Sequence, residues 1–127
     1  MKFLTLNDVE LIHMQIIDAS GGSQGVRDRD RVESALAAMR QEVFDKALYP
    51  TIFDKAAVLL RGIIADHPFV DGNKRTGVMA ALVFLNLNGK DTSRLTDKDY
   101  EDFAVKVAVD HLSVEDIATW LKTHATP

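Results

Sequence analysis

Nine consecutive residues near the middle of the chain combine groups suited to chemistry on a polyanion, and they read His67-Pro68-Phe69-Val70-Asp71-Gly72-Asn73-Lys74-Arg75. Histidine titrates near neutral pH, so His67 is suited to accept a proton from an attacking hydroxyl. Asp71 supplies the hard oxygen ligand that Mg²⁺ prefers. Lys74 and Arg75 would neutralise the charge on a transferred phosphoryl or nucleotidyl group, which is the main demand of such a reaction.

The position of the basic pair within this segment points to an anion. Asn73 is a residue type that favours the helix N-cap, so a helix is predicted to start at Asn73 or Lys74. The backbone N–H groups of Lys74, Arg75 and Thr76 would then lack partners within the helix and form an anion site. Cations are unfavourable at this end of the helix dipole, so the basic pair indicates a bound polyphosphate. Gly72 permits a positive φ or the close approach of a ligand.

Local signals along the rest of the chain predict six helices, with the nine-residue segment between the third and the fourth. A Ser or Thr followed by Asp three residues later is typical of a helix start, and four such pairs occur: Thr5 with Asp8, Thr51 with Asp54, Thr96 with Asp99 and Ser113 with Asp116. Asp30 and Glu33 are predicted to open the second helix. The third helix is expected to end near Asp66 or His67, because Pro68 disfavours helical geometry in the residue before it.

The apolar pattern predicts an all-α bundle of six helices in a single domain, residues 1–127. Helix one is expected to bury Val9, Ile12, Ile16 and Ala19. The stretch from Gln41 to Pro50 has no clear period, so a short flap or an irregular loop is expected between helices two and three. The predicted core consists of Ile12, Ile16, Leu36, Leu59, Ile63, Phe69, Leu82, Leu85, Phe103, Val107 and Ile117.

Composition restricts the class of protein. The 127 residues carry a net charge of −4 and contain no cysteine, which excludes a disulfide framework, a thiolate metal site and a cysteine nucleophile. The acidic balance argues against a protein that coats nucleic acid. Charges interrupt every apolar stretch and the N-terminus has no signal-peptide pattern, so we expect a cytoplasmic protein without a membrane span. The last residues, Thr123 to Pro127, are expected to form a loose end.

The nine-residue segment resembles the Fic motif, H-x-F-x-D/E-G-N-x-R. Three further stretches resemble the death-on-curing (Doc) branch of that family, so the resemblance covers nearly the whole chain: Gly21-Gly22 with Gly25-Val26-Arg27-Asp28, Glu33-Ser34-Ala35-Leu36, and Ala81 to Leu87 with Asn88-Gly89. The resemblance implies an α-helical Fic fold that uses ATP and Mg²⁺. It also implies that the segment Gln41 to Pro50 is the flap that aligns a target segment.

The same resemblance assigns roles within the motif. It implies that His67 is the general base and that Asp71 holds Mg²⁺. The nucleotide phosphates would be bound by Gly72, Asn73, Lys74 and Arg75, with Lys74 and Arg75 also acting in the transfer.

Two positions separate this chain from typical adenylylating Fic proteins, which have Gly in place of Lys74 and a second Arg in place of Val78. A lysine side chain would fill part of the anion hole that glycine leaves open. The Doc branch shares the lysine, and there the nucleotide binds reversed, so that the γ-phosphate is transferred to a protein hydroxyl. The resemblance therefore implies phosphorylation of translation elongation factor Tu and arrest of translation, with AMP transfer as the alternative.

Regulation by a partner also follows from the resemblance. Many Fic proteins carry an inhibitory helix with the pattern S/T-x-x-x-E-G/N, and this sequence has no match to it. A Doc-like toxin would instead be silenced by an antitoxin of the Phd type, whose flexible tail folds as a helix into a groove on the toxin. Contact with DNA would then occur only through the antitoxin.

Other interpretations of the motif stay open at the level of sequence. Asp66-His67 is an HD dipeptide, which suggests a metal-dependent phosphohydrolase, although such sites need further ligands and the chain has four histidines. A non-catalytic co-repressor module and a merely solvated helix–helix corner are the remaining alternatives.

Outside the motif, histidines 13, 111 and 124 are interpreted as packed or surface residues rather than ligands. Arg27 and Asp28 are interpreted as structural caps, with pairing to the motif loop as the alternative. Arg61 is expected to face the pocket.

Overall fold

A computed structural model describes residues 1–125 of the chain. Within this range the elements are α1 (Leu6–Ser20), α2 (Arg29–Ala38), β1 (Glu42–Val43), β2 (Lys46–Ala47), α3 (Ile52–Asp66), α4 (Asn73–Leu87), α5 (Asp97–Asp110) and α6 (Val114–His124). The predicted all-α class with six helices and a short flap is therefore confirmed. None of these helices is both long and apolar enough to cross a membrane.

The helix starts follow the capping signals of the sequence. Thr5, Thr51 and Thr96 each form a complete capping box with the Asp three residues later, and Ser113 accepts a hydrogen bond from the Asp116 N–H. The expectation for α2 was wrong. Its N-cap is Asp28, whose carboxylate accepts from the Asp30 N–H, so the helix begins before the predicted position.

The hydrophobic core lies around α3, which packs against α2, α4, α5 and α6. Eight of the predicted core residues are buried: Leu59, Ile63, Phe69, Leu82, Leu85, Phe103, Val107 and Ile117. Ile12, Ile16 and Leu36 are only partly buried and Ala19 is exposed, so the predicted inner face of α1 was wrong for three of its four residues. Val9 is buried as predicted, and His13 and Ile17 form the rest of the buried face.

Contacts with the motif loop explain why the buried face of α1 differs from the predicted one. The His13 ring stacks on Phe69 with a centroid separation of 3.9 Å. The Ile17 δ-carbon lies so close to Gly72 that a Cβ at position 72 would be 2.9 Å from it. Contacts with the loop, rather than the apolar pattern of α1 alone, therefore decide which side of the helix is buried.

The flap is a tight antiparallel hairpin in which Glu42 pairs with Ala47 and Val43 with Lys46. Phe44 and Asp45 form the two-residue turn with φ values of 52° and 63°, as in type I′ hairpins. The Phe44 side chain is 94% exposed. An aromatic ring is thus presented to solvent at the tip of the flap.

The end of the chain differs from the expectation of a loose segment. Thr123 and His124 belong to α6, and the His124 ring stacks on Trp120. The remaining part of that expectation, Thr126 and Pro127, lies outside the described residues.

Candidate active site

The motif loop begins where α3 ends. His67 is the C-cap of α3 and adopts a left-handed conformation, with φ 48° and ψ 58°. This confirms the predicted end of the helix at the residue before Pro68. The imidazole of His67 is exposed, whereas Pro68 and Phe69 are buried and anchor the loop on the core. The candidate base is therefore fixed through its backbone and open to solvent at its side chain.

A second segment, residues 22–31, runs alongside the motif loop and is here named the strap. The backbone N–H groups of Arg27 and Asp28 both donate to the Pro68 carbonyl, at 2.8 and 2.9 Å. The strap also accepts from the loop, because the Val70 N–H donates to the Gly25 carbonyl at 3.1 Å. These bonds fix the loop from outside the helical bundle.

Two arginines of the strap cap the C-terminus of α3. Arg31 donates from Nη1 to the Asp66 carbonyl, and Arg27 donates from Nη2 to the His67 carbonyl, both at 2.5 Å. The last carbonyls of a helix lack partners within it, and cations are favourable there. Asp28 caps α2 and also pairs with Arg31 at 3.2 Å. The two interpretations of Arg27 and Asp28 are thus both realised.

Asp71 presents an exposed carboxylate that the backbone holds in place. Its Oδ2 accepts from the Ser23 N–H at 3.2 Å and its Oδ1 from the Gly72 N–H at 2.8 Å. Each oxygen keeps a free lone pair, because a carboxylate offers about four acceptor positions. The group therefore fits the predicted role of a Mg²⁺ ligand, in which one carboxylate and the substrate phosphates share the ion.

The predicted N-cap role of Asn73 was wrong. The N-cap of α4 is Gly72, in a left-handed conformation with φ 77° and ψ 20°. Asn73 is the first residue of the helix, and its buried amide bridges both backbone groups of Phe69 at 2.9 Å. Its side chain holds the loop together, so the group that Asn73 offers to an anion is its backbone N–H.

The first turn of α4 has the properties of an anion site. The hydrogen-bond ladder of the helix begins with the Thr76 N–H, which donates to the Gly72 carbonyl at 2.9 Å. The N–H groups without a helical partner are therefore those of Asn73, Lys74 and Arg75, one position earlier than predicted. The side chains of Lys74 and Arg75 are exposed, and neither forms an ion pair within residues 1–125.

A cavity of about 160 Å³ lies beside His67 between α3 and α5. It is lined by Arg61, Ile64, Ala65, His67, Val107, Ala108, His111 and Leu112. Arg61 also donates from Nε to the Leu112 carbonyl at 3.2 Å. Arg61 and His111 thus line a cavity that includes His67 but, among the described residues, neither Asp71 nor the basic pair, so the expectation that Arg61 faces the active-site pocket stays a prediction.

The phosphohydrolase alternative requires several metal ligands on neighbouring helices. Across residues 1–125, no three side chains of His, Asp or Glu are grouped so as to hold a metal ion. The Asp66-His67 dipeptide therefore has no partners of that kind in the described chain.

Sequence reasoning missed the contribution of Gly22 and Arg31 to the site. A Cβ at position 22 would lie 2.6 Å from the Asp71 Oδ2, so only glycine lets the strap approach this carboxylate. The clustered glycines Gly21, Gly22 and Gly25 were the available signal, since each adopts a positive φ.

Replacement of Gly22 by alanine is expected to displace the Asp71 carboxylate. The φ of +113° would strain an alanine, and the new methyl group would push the Asp71 side chain away from the Ser23 N–H. We expect a loss of about 1–3 kcal/mol in the free energy of unfolding. For the Mg²⁺–ATP binding that the resemblance implies, the affinity should fall roughly tenfold, as for other changes behind a metal ligand. Urea unfolding and calorimetric titration measure the two effects.

Gly21→Ala is the matched control for this prediction. Gly21 also has a positive φ, +83°, but within residues 1–125 a Cβ added at this position would have no heavy atom within 4 Å beyond Gly21 and its two chain neighbours. The Gly21→Ala variant should therefore lose stability without losing affinity for Mg²⁺–ATP. Equal losses of affinity in the two variants would show that backbone strain, and not the contact with Asp71, is responsible.

Comparison with known proteins identifies relatives of this chain. The model of the Fic/DOC family matches residues 3–85. Toxin Doc of Mycolicibacterium smegmatis is 38% identical over 104 residues, which cover 81% of this chain and 80% of that protein. Protein kinase doc of Escherichia phage P1 is 27% identical over 122 residues, covering 96% of this chain and 94% of that protein.

Proposed function

Because the chain belongs to the Fic/DOC family, we propose that it is a Doc-like toxin that transfers the γ-phosphate of ATP to a protein hydroxyl. The observation that carries this proposal is the first turn of α4, where, within residues 1–125, three N–H groups have no helical partner and Lys74 and Arg75 form no ion pair. Such a cluster is suited to a polyphosphate chain. The exposed imidazole of His67 and the carboxylate of Asp71 belong to the same loop.

The residues of the site have complementary roles in the proposed reaction. His67 accepts the proton of the target hydroxyl as its oxygen forms a bond to the γ-phosphorus. The bond between the γ-phosphorus and the bridging oxygen breaks, and ADP leaves with the electron pair. Lys74, Arg75 and the N–H groups of α4 stabilise the charge on the phosphoryl oxygens. Asp71 would hold Mg²⁺, which neutralises phosphate charge when bound.

Transfer of phosphate rather than AMP is supported by Lys74. Typical adenylylating relatives have glycine at this position, and the lysine side chain would occupy part of the space needed for their mode of nucleotide binding. One relative is named as a protein kinase, which agrees with γ-phosphate transfer. AMP transfer is the second candidate, because His67, Asp71 and Arg75 match the Fic motif, but Val78 stands where adenylylating proteins have a second Arg.

The proposed target and partner come from the Doc resemblance. We propose elongation factor Tu as the target, with arrest of translation in the cytoplasm as the outcome. The flap supports a protein substrate, since within residues 1–125 its two strands pair only with each other, and the exposed Phe44 lies at its tip. We further propose that a Phd-like antitoxin binds the protein and silences it.

Transfer from ATP labelled separately at the α- and γ-phosphates tests the proposed reaction. The protein is incubated with elongation factor Tu, Mg²⁺ and each labelled nucleotide, and the labelled protein is detected after electrophoresis. We expect label from the γ-position alone, and none without Mg²⁺. Label from the α-position would establish the adenylyltransferase instead. The absence of both labels from this target, and from proteins of a bacterial lysate, would contradict protein modification.

A further inference from the structure

A buried histidine of α1 lies directly beneath the motif loop. His13 is 1% exposed, although its neighbours on the inner face of α1, Val9 and Ile17, are apolar. Its ring is parallel to that of Phe69, with an interplanar angle of 7° and a centroid separation of 3.9 Å. Its Nε2 lies 2.7 Å from the Asp71 carbonyl oxygen. Both contacts are with residues of the motif.

The chemistry of the hydrogen bond determines the state of the His13 ring. A carbonyl oxygen can only accept, so Nε2 must carry a hydrogen and donate it to Asp71. The stacking on Phe69 fixes the plane of the His13 ring, and the hydrogen bond fixes how the ring is turned within that plane. The loop above His13 therefore holds the ring in one orientation, with Nε2 as the donor.

The bond from His13 acts on the peptide group that joins Asp71 to Gly72. The carbonyl of this peptide accepts from His13, and its N–H donates to the Asp71 Oδ1 at 2.8 Å. The orientation of the peptide thus governs where the carboxylate lies. It also governs the left-handed turn at Gly72, from which the free N–H groups of α4 follow.

A space-filling role alone does not explain a histidine at this position. Burial of a polar ring away from water costs free energy unless the ring is hydrogen-bonded, whereas an apolar residue would fill the same space without needing a partner. The Nε2 atom of His13 contacts the motif loop and not the core. A donor aimed at the carbonyl of a candidate metal ligand is typical of the groups that orient such ligands.

We propose that His13 is a positioning residue for the active site. Its Nε2–H holds the Asp71–Gly72 peptide so that the Asp71 carboxylate and the first N–H groups of α4 face the same Mg²⁺–ATP. The expected effect on Mg²⁺–ATP binding and transfer rests on the proposed function. The hydrogen bond by which His13 holds the loop rests on the geometry alone. The two parts are tested separately.

The variants His13→Leu and His13→Gln separate the hydrogen bond from the ring. Both lose the stacking on Phe69, but only glutamine retains an N–H donor at about the reach of Nε2. We expect His13→Leu to weaken the affinity for Mg²⁺–ATP and to lower kcat/KM by roughly 10- to 100-fold. The KM for the protein target should not change. His13→Gln should recover most of both losses, with both variants compared below their unfolding temperatures.

Nuclear magnetic resonance on the unsubstituted protein tests the structural part without nucleotide. The ¹⁵N shifts of His13 should show a protonated Nε2, and a coupling across the hydrogen bond should join this nitrogen to the Asp71 carbonyl carbon. This measurement also decides the structural part if both variants fail to fold. An unprotonated Nε2, or a coupling to another carbonyl, would overturn the proposal.

The outcomes of the variant experiment are distinct. A loss of Mg²⁺–ATP affinity and kcat/KM in His13→Leu that is largely restored in His13→Gln supports the positioning role. Equal affinity and kcat/KM in His13→Leu and the unsubstituted protein would overturn it, and so would equal losses in both variants. If the unsubstituted protein neither binds Mg²⁺–ATP nor transfers phosphate, the proposed function fails, while the resonance measurement still decides whether His13 holds the loop.

Discussion

Replacement of His67 by alanine is expected to lower the rate of phosphotransfer by about 10²- to 10⁴-fold, the usual contribution of a general base. The imidazole is exposed, and within residues 1–125 its nitrogens form no hydrogen bond, so its loss leaves no buried group unsatisfied. The left-handed backbone is held by Arg27 through the His67 carbonyl, which alanine retains. The variant should therefore fold normally. Single-turnover transfer from γ-labelled ATP and the unfolding midpoint measure the two parts of this prediction.

His111→Ala is the matched control for His67. His111 is also the left-handed C-cap of a helix, with φ and ψ of 50°, and it lines the same cavity. It lies outside the motif, so its replacement should leave the rate at saturating ATP largely unchanged. Full activity in His67→Ala would remove this residue from the mechanism. A similar loss in His111→Ala would show that the cavity, and not the base, limits the reaction.

The fold was predictable to the extent that local residues determine it. A threonine with an aspartate three residues later satisfies the backbone donors at a helix start without help from the rest of the chain. All three of the Thr–Asp pairs form that motif in the structure. Pro68 likewise stops α3 through contacts with the residue next to it. Such signals need no knowledge of the tertiary packing.

The failures occurred where a distant segment decides the outcome. Helix α1 has apolar residues on two adjoining faces, and the face that carries Ile12 and Ile16 matches the helical period as well as the face that carries Ile17. The contacts of α1 with the motif loop select between them. Asn73 has the side chain of an N-cap, but its amide bridges the backbone of Phe69, which leaves the cap position to Gly72.

The candidate site likewise has a part that the sequence could predict, the motif, and a part that it could not, the strap. The motif is contiguous, so its base, its carboxylate and its cations could be recognised together in the sequence. The strap lies some 40 positions away in the chain, and its bonds to the loop involve mainly backbone groups, as with Arg27 and Pro68. Backbone partners leave little trace in residue types. The role of Arg31 and of the glycines could therefore emerge only from the structure.

Neutralisation of either Lys74 or Arg75 is expected to slow transfer strongly and to stabilise the protein without nucleotide. Lys74→Gln and Arg75→Gln each remove a charge that faces the phosphates, which should lower the rate about 10²- to 10³-fold. Both cations stand in the first turn of α4, where the helix dipole disfavours positive charge. Each substitution should therefore raise the free energy of unfolding by about 0.3–1 kcal/mol at low salt. Urea unfolding with and without Mg²⁺–ATP measures this effect.

Lys122→Gln provides the control of opposite sign. Lys122 lies in the last turn of α6, where a cation is favourable, so its loss should lower stability and leave transfer intact. With saturating Mg²⁺–ATP the unsubstituted protein should be more stable than the Lys74→Gln and Arg75→Gln variants, because it gains stability from a ligand that the variants bind weakly. Two cations that destabilise the free protein and stabilise the complex are what an anion site at a helix N-terminus requires. If Lys74→Gln and Arg75→Gln destabilise the free protein, the basic pair has a structural partner, and the polyphosphate site loses its main support.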